Sequence, residues 1–208
     1  MDKNILKKRV GNTPLVRAKS LEKELGIKKI FLKLEGNNPS GHREDRLAHL
    51  IIRDAITRGK KTICVGTFGT VGGSLAYLSG YYDVKCVFIV PNKKEIMRKH
   101  LFEPDYVEVI EFGRTYEDCV KESRHLSEEK GWYNANPGRA NNILDMHAFS
   151  YVAEEIQQQI DDELDTVFCQ TSNGSSISGL HLGFKQMWAR EEINKIPRIF
   201  AASTAHGN

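Results

Sequence analysis

Short apolar runs rich in β-branched residues alternate along this chain with longer segments whose apolar positions recur every three or four residues. The first kind reads as strands at Ile30–Leu34, Thr62–Gly66, Lys85–Val90, Tyr106–Ile110 and Thr166–Gln170, with a last one near Pro197–Ala202. The second kind predicts helices over Asp45–Arg58, Gly73–Tyr82, Lys94–Phe102, Thr115–Lys130, Ile143–Gln159 and Leu180–Ala189. This succession predicts an α/β fold with doubly wound parallel sheets. The final strand pattern, Arg198-Ile-Phe-Ala-Ala-Ser, stops at Thr204-Ala-His-Gly-Asn208 without the crossover helix and neighbour that normally cover a parallel strand, so the chain reads as truncated. No internal repeat, low-complexity tract or Gly/Ser/Pro-rich linker interrupts the alternation.

Composition changes this picture little. A chain with 40 % hydrophobic and 27 % charged residues falls in the ordinary globular range, which excludes disorder, collagen-like and coiled-coil architectures. The longest apolar runs, such as Cys86–Val90, fall far short of the ~20 residues of a membrane span, and the basic N-terminus lacks the apolar core of a secretory signal. Cys64, Cys86, Cys119 and Cys169 show no Cys-x-x-Cys spacing and read as buried free thiols of a reducing cytoplasm. The seven histidines form no zinc-ligand pattern, so no metal is expected.

Charge is more informative than its net value of +3, because residues 1–61 hold 16 Lys/Arg against 7 Asp/Glu, a local +9 that leaves −6 for the remainder. The basic residues are interspersed with apolar positions and no nucleic-acid motif accompanies them, so no nucleic acid is expected: the bias reads first as a solvated basic surface and next as a face for a phosphate-bearing ligand. A nucleotide-binding α/β protein is the weakest alternative, since neither Gly-x-Gly-x-x-Gly nor a phosphate-loop lysine follows the first strand.

Four segments carry candidate chemistry. They are Gly11-Asn-Thr-Pro-Leu15; Lys33-Leu-Glu-Gly-Asn-Asn-Pro-Ser-Gly41 running through His42-Arg43-Glu44 into Asp45-Arg46; Gly66-Thr-Phe-Gly-Thr-Val-Gly-Gly-Ser74; and Gln170-Thr-Ser-Asn-Gly-Ser-Ser-Ile-Ser-Gly179. The last two are Gly-rich turns between a strand and a helix, where backbone amides at a helix N-terminus meet an anion. Taken alone, Glu44-Asp45 is also what a first helical turn carries to favour the macrodipole, worth roughly 0.3–1 kcal/mol.

In this order the four segments resemble the fold-type II pyridoxal-phosphate (PLP) enzymes, the superfamily of threonine synthase, cysteine synthase and the tryptophan synthase β subunit. The Asn-Pro-Ser-Gly spelling resembles the threonine synthase branch most, with cysteine synthase-like and threonine dehydratase-like enzymes as alternatives. The resemblance implies a larger domain of residues 1–41 plus 146–208, incomplete at its C-terminus, and a smaller α/β domain of residues 42–145 inserted in it. It also implies PLP, an amino-acid or phosphate-ester substrate, a lyase-type elimination or replacement, and a homodimer.

Carried over residue by residue, the loop Thr67, Gly69, Thr70 and Gly72 faces the cofactor ring, and Ser172, Asn173, Gly174, Ser175 and Ser176 cradle its phosphate. Thr70 stands where the family has an asparagine, and Ser172 and Ser175 where it has glycines. The largest departure is Glu44, which occupies the position of the lysine that holds PLP as an imine. A carboxylate cannot condense with an aldehyde, although it can act as a general base. The resemblance therefore implies a chain with the architecture of a PLP site and impaired or absent catalysis, a pseudoenzyme that binds PLP non-covalently if at all. The reading from a different class is a non-catalytic binding or regulatory module for an anionic small molecule or a partner subunit.

Overall fold

The computed structural model describes residues 10–67, 69–92, 104–171 and 173–203. The helix expected over Lys94–Phe102 lies outside the described residues, as does Ser172.

At the centre is a four-stranded, wholly parallel sheet of β3 (Thr62–Gly66), β4 (Lys85–Val90), β5 (Val107–Glu111) and β6 (Tyr133–Asn134), in the order β5-β4-β3-β6. Its two inner long strands are apolar almost throughout because both faces are covered. Ile63, Val65, Cys86, Phe88 and Val90 face α2 (Asp45–Thr57) and α3 (Thr70–Ser79), whereas Cys64, Val87 and Ile89 face α4 (Tyr116–Lys130) around Cys119. Helix α2 presents Leu47, Ala48, Ile51, Ile52 and Ala55 to this core, a spacing that puts all five on one face. Gly66 ends β3 where a Cβ would stand 2.6 Å from the backbone of Cys119 and Val120, so glycine is what lets α4 lie against the strand.

Helix α4 begins with a capping box. Thr115 Oγ1 accepts the Asp118 amide at 3.1 Å and Asp118 Oδ2 accepts the Thr115 amide at 3.0 Å. Thr115→Ala is expected to lower stability by about 1 kcal/mol, read as a shifted urea midpoint at unchanged slope. An unshifted midpoint would mean that packing on the sheet alone holds this end of the helix.

The remaining elements form a second packed unit. An antiparallel ribbon of β1 (Leu15–Arg17) and β2 (Phe31–Lys33) is joined through α1 (Lys19–Leu25), and a parallel pair of β7 (Thr166–Gln170) and β8 (Arg198–Ala202) is joined through α6 (Ser175–Ala189). Helices α5 (Asn142–Gln159) and α6 pack closely because Gly179 faces Phe149, where a Cβ would approach the Phe149 Cβ to 2.5 Å. Val152, Ile156, Leu180, Phe184 and Met187 meet Leu15, Phe31, Val167 and Ile199 in a core of their own. The opposite face of β7–β8 carries Phe168 and Phe200, 74 % and 45 % exposed, with rings stacked at 5.2 Å.

The structure bears out the α/β class with its doubly wound parallel sheet. It adds β1, α1 and β6, which are too short to show a period, and it starts α3 and α6 several residues earlier than the apolar spacing predicts. All four cysteines are free, but Cys169 is only half-buried, a correction to its reading as a buried thiol: its strand covers one face alone. Burial pushes the thiols of Cys64 and Cys86 up to about 12, which makes them inert packing groups. Among the described residues no helix is long and apolar enough to cross a membrane.

Candidate functional site

The sheet order locates a crevice before any side chain is considered. Strands β3, β4 and β5 add in one direction, and β6 then returns to the other side of β3, so the connections diverge at the carboxyl end of β3. Ligands of open α/β sheets bind at such a switch point. The Gly-rich loop of residues 67–72 begins there. Asn136, just past β6, fixes it from the other side by accepting the Gly66 amide at 2.9 Å.

Thr67 is buried, and its Oγ1 accepts the amides of Gly69 at 3.2 Å and Gly72 at 3.3 Å. That oxygen therefore shapes the loop, and the half-buried described residues there are Gly69, Thr70 and Val71, where α3 starts. The second segment is tied to this helix. Ser40 Oγ lies 3.2 Å from Ser74 Oγ, and Ser40 donates through both its amide and its hydroxyl to Asp45, the first residue of α2. Burial raises the Asp45 carboxyl above its usual range, against the opposing pull of the Ser40 hydrogen bonds.

Glu44 stands at the N-cap position of α2 without a side-chain capping hydrogen bond and is mostly enclosed, its side chain 14 % exposed. Arg43 Nε donates to Glu44 Oε1 at 3.0 Å while Arg43 Nη1 donates to the Gln170 carbonyl at 3.1 Å, and its guanidinium lies 5.9 Å from the Phe149 ring centroid. The pair thus bridges the start of α2 to the end of β7. The Glu44 carboxylate is paired with a neighbour that also reaches the fourth segment.

In that fourth segment Gly174 precedes α6 with φ 87°, a left-handed conformation that favours glycine, and a Cβ there would meet nothing within 4 Å. No side chain caps the helix, although Asn173 Oδ1 accepts the Ser175 amide at 3.1 Å. Ser175, first residue of α6, needs no positive φ, so a serine is compatible with the turn at that position. Its Oγ donates to Asp145 Oδ2 at 3.1 Å, which also accepts the Gly138 amide at 2.5 Å. Asp145 is wholly buried, its Oδ1 has no hydrogen-bond partner, and burial raises its carboxyl above the usual range against the pull of Gly138 and Ser175.

The first segment joins through a buried ion cluster. Arg46, 4 % exposed, donates to Glu35 at 2.6 Å and 2.7 Å and to Glu155 at 2.7 Å and 2.8 Å, and Lys33 completes the set at 2.8 Å from Glu155. Thr13 Oγ1 donates to Glu35 and Asn38 Oδ1 accepts the Gly11 amide. Contacts therefore link all four segments around the N-termini of α2, α3 and α6, a setting that favours anions. Asn136 and Asp145 escaped the sequence reading. Asn134-Ala-Asn-Pro137 was the available signal for the first, and nothing in the spacing marked the second.

The geometry tests what such a site can hold. The open turn at Gly174 and the uncapped amides of α6 fit an anionic group such as a phosphate monoester. The Arg43–Glu44 pair at the start of α2 offers no primary amine, so these two side chains do not fit covalent attachment of an aldehyde. Among the described residues no cluster of His, Cys, Asp or Glu has the grouping of a metal site.

Comparisons with known proteins agree with this fold. A family model described as pyridoxal-phosphate dependent enzyme matches residues 6–208. Threonine synthase of Methanocaldococcus jannaschii is 30 % identical over 191 residues, covering 91 % of this chain and 46 % of the relative. Cysteine synthase 1 of Emericella nidulans is 30 % identical over 194 residues, covering 88 % of this chain and 51 % of the relative. The chain thus spans about half the length of these curated relatives. A crystal structure of cysteine synthase from Entamoeba histolytica superposes with a TM-score of 0.79 at 23 % identity, over 97 % of this chain and 60 % of that one.

Proposed function

We propose a specific role for this chain, which belongs to the pyridoxal-phosphate-dependent enzyme family: it keeps the anion-binding architecture of the threonine synthase-like and cysteine synthase-like members and has lost their covalent step. The observation that carries the reading is Glu44, enclosed at the start of α2 and ion-paired with Arg43, where the family requires a free amine. PLP, when bound, supplies an electron sink for amino-acid chemistry. This chain's own part is to offer the α6 amides and the Ser176 hydroxyl to the phosphate, with the Ser175 hydroxyl turned to Asp145, and to set Gly69 and Thr70 of the second loop beside the ring. Glu44 has no chemistry by which to hold the aldehyde. Its remaining capacity is to accept a proton, and the Arg43 hydrogen bond to Oε1 favours the ionised form.

The same reading includes the division into residues 1–41 plus 146–208 and an inserted 42–145, which is supported by the two separate apolar cores. It also includes an amino-acid or phosphate-ester ligand, a homodimer and a cytoplasmic setting. A purely binding or regulatory module is the second reading, and the Arg43 bridge to Gln170 favours it because it fills the amine's place with a closed ion pair. The test of both is to add PLP, look for the imine absorption band, and reduce with borohydride. Calorimetric binding of PLP or phosphohomoserine is expected with no imine and no turnover. A stable reduced adduct on any lysine would overturn the assignment of Glu44.

A further inference from the structure

The N-terminus of α6 is bordered by a carboxyl group that the cofactor reading does not use. Asp145 is 0 % exposed, it is joined to the first residue of α6 through Ser175 Oγ, and its Oδ1 is a buried acceptor with no donor. No described Lys, Arg or His side chain pairs with it; the other titratable groups interacting with it are the phenols of Tyr116 and Tyr133. A buried carboxylate at a helix N-terminus complements the partial positive charge there. A phosphate group offered the same amides would then be placed beside an uncompensated like charge in a poorly solvated setting.

We propose that Asp145 acts as the resident anion of the α6 cup, so that this site accepts a phosphate or other dianion only by taking up a proton on Asp145. The inference rests on the cofactor-site reading above and deepens it, since it assigns the cup a built-in discrimination by ligand charge. Asp145 is a positioning residue here: it acts on the ligand through the Ser175 bond to its Oδ2 and through the field of the carboxylate, whose Oδ1 is shielded from solvent.

Sulfate is the suitable probe, because it keeps both charges at any working pH and reports no titration of its own. Its affinity is measured by calorimetry at neutral pH for the unaltered chain, Asp145→Asn and Asp145→Thr, with circular dichroism to check the fold. Both variants are expected to bind sulfate at least about tenfold more tightly, with binding of pyridoxal, which lacks the phosphate, unchanged. In the unaltered chain, heats in two buffers of different ionisation enthalpy are expected to show uptake of about one proton per sulfate. That measurement stands even if both variants fail to fold. Equal or weaker sulfate binding in folded variants, or no proton uptake by the unaltered chain, overturns the proposal. If PLP binds while sulfate is indifferent to position 145, only this inference falls; if none of the three proteins binds PLP or sulfate, the cofactor-site reading falls with it.

Discussion

Glu44→Lys is expected to give this chain a covalent link with PLP at position 44. The new ammonium would start beside Arg43, and a neighbouring like charge lowers a lysine pKa and so increases the fraction of free amine that attacks the aldehyde. The substitution leaves Arg43 with its other acceptor, the Gln170 carbonyl, so the bridge to the end of β7 is weakened and not abolished. The residues that hold the turn in place, Ser40 through Asp45 and Asn38 through Gly11, do not contact the Glu44 side chain and are unaffected. The readout is an imine band on adding PLP, followed by borohydride reduction and peptide mapping. An adduct confined to position 44 supports the alignment of this residue with the amine's place. An adduct on another lysine, or none while PLP still binds, places the reacting aldehyde elsewhere.

Removing Glu155 is expected to give the largest loss of stability. Arg46 and Lys33 are 4 % and 9 % exposed, and they share Glu155 and Glu35 between them. Taking one carboxylate away leaves a buried cation without its counter-charge, which costs about 3–5 kcal/mol, a large part of the 5–15 kcal/mol typical of a domain. Glu155→Ala is therefore expected to lower the urea midpoint strongly, and Glu155→Gln nearly as much. A shift of under about 1 kcal/mol would show that the cluster's desolvation cost cancels its attraction.

The same cluster sets an acid limit. Burial tends to raise the Glu155 carboxyl, but the hydrogen bonds from Arg46, Lys33 and the Asn12 amide outweigh it and hold the group down to about 2, against 4.5 unfolded. A depressed carboxylate contributes stability that is fully present above the unfolded value and lost as pH falls towards the folded one. The contribution is about 3 kcal/mol, disappearing between roughly pH 4.5 and 2. Asp45 and Asp145, raised by burial, act in the opposite sense and gain stability on protonation. The acid limb of Glu155→Gln is expected to be flatter than that of the unaltered chain.

Much of the fold was legible because its central strands are buried on both faces and spell continuous apolar runs, as in Thr62–Gly66 and Lys85–Val90. What escaped was decided by short-range geometry. Helix α6 was expected from Leu180, where the apolar spacing begins, yet it starts at Ser175 because Gly174 supplies the left-handed turn and the polar first turn faces the site. Segment order made the candidate site visible, and composition fixed its charge preference only as a general basic bias. The wiring was not visible. Arg43 was recognisable as a neighbour of Glu44, but its second bond to Gln170 spans the chain, and Asp145 looked like any acid on a helix face.

Strands β7 and β8 lie side by side in parallel register, with Val167 opposite Ile199 and Phe168 opposite Phe200, and no tight turn joins them. The whole of α6 stands between them in sequence, so the two strands are brought to register by the helix that carries the chain back. Loop-closure entropy opposes such a pairing until that helix has docked. The packing that seats α6 against α5 is the same packing that presents the first turn of α6 to Asp145. Loosening α6 from α5 is therefore expected to unpair β8 and to break the Ser175–Asp145 bond together.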